Sequence, residues 1–184
     1  MLEDVGVSVF SMNDFSDLPD IEEDGETFFE NAMKKAHTIA HITGEMVLAD
    51  DSGLEVDYLK GKPGVRSSRY SGKNATDEQN IQKLLVQLQG VPEDQRGASF
   101  RCILVLYRPD GWFNTFEGRL RGQISKEPFG DGGFGYDPVF FVSERGMTVS
   151  QLSITEKNQI SHRALAVGKL KEWLKKGNAS EKDV

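Results

Sequence analysis

Six residues, Ala49-Asp50-Asp51-Ser52-Gly53-Leu54, constrain the fold of this chain more than any others. An apolar run, Met46-Val47-Leu48-Ala49, leads into two adjacent carboxylates and a glycine, and Leu54, Val56 and Tyr58 then resume an alternating pattern. This predicts strand, turn, strand, with both acids at the end of a buried strand. Neighbouring residues of a strand point to opposite faces, so Asp50 and Asp51 are expected to have different tasks. Adjacent anions at the edge of a core are costly unless a cation or hydrogen-bond donors meet them. A divalent metal meets that need most simply. A solvated Asp-Asp-Ser-Gly turn meets it without any chemistry.

The 184 residues suffice for one domain with a full core, and 38% apolar with 28% charged residues suit a globular chain. No apolar run reaches membrane-spanning length and no basic-then-apolar leader opens the chain, which predicts a cytoplasmic protein without a membrane partner. A net charge of −7 argues against binding a nucleic-acid polymer. It still allows a polyphosphate, held through carboxylate-bound Mg²⁺ and a few Lys or Arg side chains in one cleft. The single cysteine, Cys102, excludes an intrachain disulfide and reads as a buried strand thiol within Phe100-Arg101-Cys102-Ile103-Leu104-Val105-Leu106.

Along the chain, Val5-Gly6-Val7-Ser8-Val9-Phe10 alternates like a short strand, and Ser11 to Gly25 reads as an acidic loop. Thr27-Phe28-Phe29-Glu30 has capping-box spacing and opens a helix that Gly44 ends. Phe29, Ala32, Met33, Ala36, Ile39 or Ala40, and Thr43 form its buried stripe. Asn31 and Lys35 share a face off that stripe, and Glu30 with Lys34 reads as a surface ion pair. His37 and His41 lie four apart, but nothing frames them as a metal site, so they read as exposed helix histidines. Arg66-Ser67-Ser68-Arg69-Tyr70-Ser71-Gly72 is a small basic and hydroxyl-rich cluster. Thr76 caps a second helix, with Ile81, Leu84, Leu85 and Leu88 inward. Two long strands, about 98–107 and 112–122, flank the turn Arg108-Pro109-Asp110-Gly111. Four glycines fall within Gly130–Gly135, allowing close backbone approach to a ligand, and Phe134 and Tyr136 offer ring faces. Val139–Val142 reads as a strand, and Ser161–Lys176 as a last helix with Ala166, Leu170, Trp173 and Leu174 inward. His162 and Arg163 lie in its first turn, where cations oppose the helix dipole, a broken local rule that hints at an anion or a functional duty. The tail from Gly177 to Val184 is polar and expected to fray.

Five blocks occur in one order across nearly the whole chain. They are Thr27-Phe28-x-Glu30-Asn31-Ala32, the Asp50-Asp51 block, Gly64 through Gly72, Gly132–Pro138, and Glu156-Lys157-x-x-Ile160-Ser161-His162-Arg163. Together they resemble the inosine triphosphate pyrophosphatase family, which hydrolyses noncanonical purine nucleoside triphosphates. The resemblance implies an α/β fold: a long central mixed sheet with flanking helices, and two lobes with a substrate cleft between them. It implies Mg²⁺-dependent hydrolysis of ITP, dITP and XTP to the monophosphate and pyrophosphate, by a homodimer. Asp51 is then the general base, and Glu23 and Asp51, with Asp50, are the metal-binding acids. Ser52 and Lys35 contact phosphate or substrate, Phe134 stacks on the purine, and Asp137, Lys157, His162 and Arg163 read the base. Asn31, Gly135 and Tyr136 complete the substrate set. The family usually opens with a strand and a Ser/Thr-Gly-Asn-x-x-Lys loop, and no stretch of residues 1–184 matches that loop. This leaves a second expectation, a nucleotide-binding protein with little or no turnover.

Overall fold

The computed structural model describes residues 6–177. Helix α1 (Phe28–Thr43) starts at a reciprocal cap: Thr27 Oγ1 accepts from Glu30 N at 3.1 Å, and Glu30 Oε2 accepts from Thr27 N at 3.0 Å. It ends at Gly44, whose φ of 72° is left-handed. Phe28, Ala32, Ala36 and Ala40 form one i, i+4 ridge and are buried, with Ile39 beside them. The alanines let the helix lie close on the sheet. Phe28, not Phe29, is therefore the core aromatic; Phe29 is 40% exposed and meets Phe113 at the rim. Lys34 pairs with Asp24 at 2.6 Å rather than with Glu30, because the Glu30 carboxylate is committed to the cap.

Strand β1 (Val47–Val56) follows, then a 3-10 turn at Gly64–Arg69, helix α2 (Asp77–Gln87), and the hairpin β2 (Gly97–Tyr107) and β3 (Phe113–Ile124). Short strands β4 (Phe140–Val142) and β5 (Met147–Thr148) precede α3 (Ile154–Ile160) and α4 (His162–Lys175). Among the described residues the sheet runs β1-β2-β3-β4-β5 with every pairing antiparallel. The α/β class with flanking helices holds; the pairing is a meander rather than a mixed sheet, because each strand lies beside its sequence neighbour. Strand β2 is covered on both faces. Ile103, Val105 and Tyr107 pack under α1, while Cys102, Leu104 and Leu106 pack against Phe116, Ala166 and Leu170 below α4. Burial raises the Cys102 thiol to about 11, which makes it an inert core residue. A further cluster joins Leu54, Val56, Leu84, Leu88, Phe100 and Phe140 under α2 and β4. No helix among the described residues is long and apolar enough to cross a membrane.

Further sequence expectations change. Asp50 to Gly53 is not a turn, since β1 runs unbroken through it and pairs Asp50 with Leu104 and Asp51 with Ile103. Gly53 serves a close approach instead: a Cβ there would meet Gly64 O and Ser67 Oγ at 2.6 Å and the Phe28 ring at 2.8 Å. Val7 to Phe10 form no strand, for no ladder among the described residues includes them, and Val7, Val9 and Phe10 are exposed. Val5 and residues 178–184 lie outside the described residues. Helix α3, absent from the sequence reading, announces itself by Ser153 and Glu156, a capping box.

Candidate active site

Alternation along β1 sends Asp51 toward α1 and Asp50 toward α4. Asp51 is 7% exposed. Its Oδ2 accepts from Asn31 Nδ2 at 2.9 Å and its Oδ1 from its neighbour Ser52 N at 3.1 Å. Asn31 is wholly buried and its Oδ1 accepts from Gly25 N at 2.8 Å, so one side chain ties the acidic loop to the strand. Lys35 Nζ lies 2.6 Å from Glu23 Oε1 and 3.9 Å from Asp51 Oδ1. Burial holds the Asp51 carboxyl above the usual carboxylate range; Asn31 and Lys35 oppose the shift and Glu23 adds to it. Arg69, which the sequence reading left without a role, donates from Nη2 to Glu23 O at 2.6 Å. Its signal was the basic Arg66–Gly72 cluster.

Asp50 does not join these groups. Its Oδ2 accepts from Ser52 Oγ at 3.0 Å and from Arg163 Nε at 3.1 Å, on the other face of the sheet. Among the described residues no three His, Cys, Asp or Glu side chains are grouped to hold a metal; Glu23 and Asp51 are two carboxylates 2.6 and 3.9 Å from one ammonium, that of Lys35. His37 and His41 stack on each other at 4.1 Å and pack against Tyr107.

On the α4 face a cleft of about 360 Å³ opens between β1 and the Phe134–Asp137 segment, lined also by Ser52, Phe100, Lys157, His162 and Arg163. Phe134 is 61% exposed, with Lys157 Nζ 4.5 Å and Arg163 Cζ 5.8 Å from its ring centroid. Asp137 is buried; it pairs with Lys157 and accepts from Phe134 N at 3.0 Å. Gly135 N donates to Asp77 Oδ2, in the first turn of α2, at 2.6 Å. Tyr136 differs from expectation. Its ring is buried and its hydroxyl donates to Ser67 O at 2.9 Å, so it walls the cleft without offering a free face. Two of the loop glycines serve packing rather than a ligand: a Cβ at Gly130 would meet Gln151 at 2.8 Å, and one at Gly132 would meet Ser150 O at 2.7 Å.

His162 is 8% exposed and stacks on Phe100 at 5.0 Å. Its Nδ1 is buried without a partner among the described residues. Burial first, and the Arg163 cation second, push the imidazole down to about 4, so it is neutral at physiological pH. The folded value lies below the unfolded one, so this residue's contribution to stability is present above pH 6.5 and is lost as pH falls toward 4. The loss should reach about 3 kcal/mol. Urea unfolding at a series of pH values should show a shallower decline for His162→Phe than for the wild type. Equal slopes would mean that the imidazole titrates normally.

Residues 1–173 match the model of the Ham1 family. The chain is 53% identical over 174 residues to a dITP/XTP pyrophosphatase of Geobacter sulfurreducens, covering 95% of this chain and 87% of the relative. It is 46% identical to the enzyme of that name from Bacillus subtilis, with 95% and 88% covered. Among solved structures, a HAM1 protein from Coxiella burnetii superposes with a TM-score of 0.82 at 46% identity, covering 86% of this chain and 81% of that one. A dITP/XTP pyrophosphatase from Mycobacterium abscessus gives 0.80 at 40% identity, with 92% and 88% covered.

Proposed function

The chain belongs to the Ham1 family, and on that premise we propose that it hydrolyses noncanonical purine nucleoside triphosphates, dITP, ITP and XTP, to the monophosphate and pyrophosphate. The observation that supports the base assignment is the cleft that brings the exposed Phe134 ring together with Lys157, His162 and Arg163. A purine stacks on Phe134. Its six-membered edge then meets His162, Arg163 and the Lys157–Asp137 pair. A 6-oxo group satisfies donors there, whereas a 6-amino group leaves them unpaired in a partly desolvated site.

The triphosphate crosses the edge of β1 toward Asp51. Lys35 neutralises a phosphate oxygen as a compact charge, exchanging its contact with Glu23 for the substrate. Asp51 orients the attacking water and takes its proton. Asn31 fixes the carboxylate and Arg69 fixes the segment carrying Glu23. Glu23 and Asp51 would hold a hard divalent cation such as Mg²⁺, since both carboxylates face the same ammonium. When bound, Mg²⁺ lowers the pKa of its water and offsets the charge of the triphosphate. The family resemblance also supports a homodimer acting in the cytoplasm.

Pyrophosphate release measured with Mg²⁺ on ITP, XTP, GTP and ATP tests the assignment. The 6-oxo substrates lacking a 2-amino group should exceed ATP in kcat/KM by on the order of 10⁴. Equal rates on ATP and ITP would refute base selection. Binding of ITP without pyrophosphate release would refute the reaction.

A further inference from the structure

Asp50 is a carboxylate without an assigned task once it is seen to face away from Glu23 and Asp51. We infer that Asp50 is a positioning residue that holds the Arg163 guanidinium against the base-binding cleft, and so sets base selection rather than metal binding. The inference rests on the proposed pyrophosphatase reading of the cleft.

Four observations support it. Asp50 Oδ2 accepts from Arg163 Nε at 3.1 Å, leaving the two terminal nitrogens of the guanidinium for other partners. The same oxygen accepts from Ser52 Oγ at 3.0 Å, so the carboxylate is itself held in orientation by a residue that lines the cleft. The guanidinium carbon lies 5.8 Å from the Phe134 centroid, which places one cation between the carboxylate and the ring expected to carry the purine. Finally, Arg163 lies in the first turn of α4, where the positive end of the helix dipole repels a cation. Without an anion opposite, the long side chain swings toward water. Stability does not account for the pair, because both side chains are more than 40% exposed and solvent screens such pairs. What the contact supplies is orientation at the cleft.

Calorimetry with the products IMP and AMP, in the absence of metal, separates base recognition from chemistry. The proteins are the wild type, Asp50→Asn, Arg163→Ala and the double variant. Asp50→Asn should weaken IMP binding about tenfold, the scale of one hydrogen bond to a charged group, and leave AMP binding as it was. The double variant should bind IMP no more weakly than Arg163→Ala, since Asp50 acts through Arg163. In turnover, Asp50→Asn should raise KM for ITP far more than it lowers kcat. The inference is overturned if the two single losses multiply in the double variant. It is equally overturned if Asp50→Asn lowers kcat on every substrate with IMP binding intact, which would return Asp50 to the chemistry. Equal affinity of the wild type for IMP and AMP would instead refute the base-selection reading itself, and this inference with it.

Discussion

Asp51→Asn is expected to lower pyrophosphate release from ITP on the order of 10⁴-fold, the upper range for removing a general base. The protein should remain folded. At neutral pH the Asp51 carboxylate is a burden on the fold, because burial raises its pKa above the unfolded value. For an acid raised in this way, the favourable linkage exists below the unfolded pKa and disappears as pH climbs through the folded one. An amide carries no charge to bury, and its oxygen still accepts from Asn31 Nδ2. It gives up the hydrogen bond from Ser52 N, made within the strand between sequence neighbours, and the attraction to Lys35, which at 3.9 Å is the weaker of that lysine's two contacts. The urea midpoint of Asp51→Asn at pH 7 should therefore equal or exceed the wild-type value. A variant that loses activity because it unfolds would contradict this account, and one that keeps activity would remove Asp51 from the chemistry.

The second large effect is expected at a glycine packed against the backbone of α4. Gly118 lies in β3 opposite Cys102, where α4 comes closest to the sheet. A Cβ at this position would fall 1.9 Å from His162 O and 2.5 Å from Ala166 N. Both are backbone atoms, so no side-chain rotation relieves the clash. Gly118→Ala must push the start of α4 outward. Overpacking of this kind costs about 3 kcal/mol and should appear as a lowered denaturation midpoint. The displaced turn carries His162 and Arg163, so the surviving folded protein should also discriminate poorly between ITP and ATP. Normal stability together with normal discrimination in Gly118→Ala would show that α4 is not fixed there.

What sequence could and could not disclose follows from the range of each interaction. The starts of α1 and α2 and the end of α1 were legible because Thr27 with Glu30, and Thr76 with Gln79, are local capping pairs, and Gly44 is a local stop. The β2–β3 hairpin was legible from its turn and its long apolar run. Phe28 and Phe29 could not be ranked, because the cap tolerates either and the sheet beneath decides which is covered. Gly53 read as a turn because glycine signals both bends and close approaches, and only the packing of Ser67 and Phe28 separates the two. Tyr136 reads in the sequence as a ring face, but its hydroxyl is claimed by Ser67 O, a partner 69 residues away. At the site, opposite facing of Asp50 and Asp51 was readable from strand geometry alone. Their partners were not: Asn31 and Arg163 come from helices at either end of the chain. Arg69 went unassigned for the same reason, since it grips a backbone carbonyl that no motif records.

The two carboxylates of β1 hang from consecutive Cα atoms whose cross-strand partners, Leu104 and Ile103, are fixed by the ladder. Their division of labour is thus a matter of parity along the backbone. If Asp50 positions Arg163 as inferred, a substitution there is expected to retune which base is accepted while hydrolysis continues. An inserted or deleted residue between Val47 and Asp51 would instead exchange the two carboxylates between faces in one event, silencing both duties together. Descendants of this chain should accumulate point changes around this strand and no changes in its length.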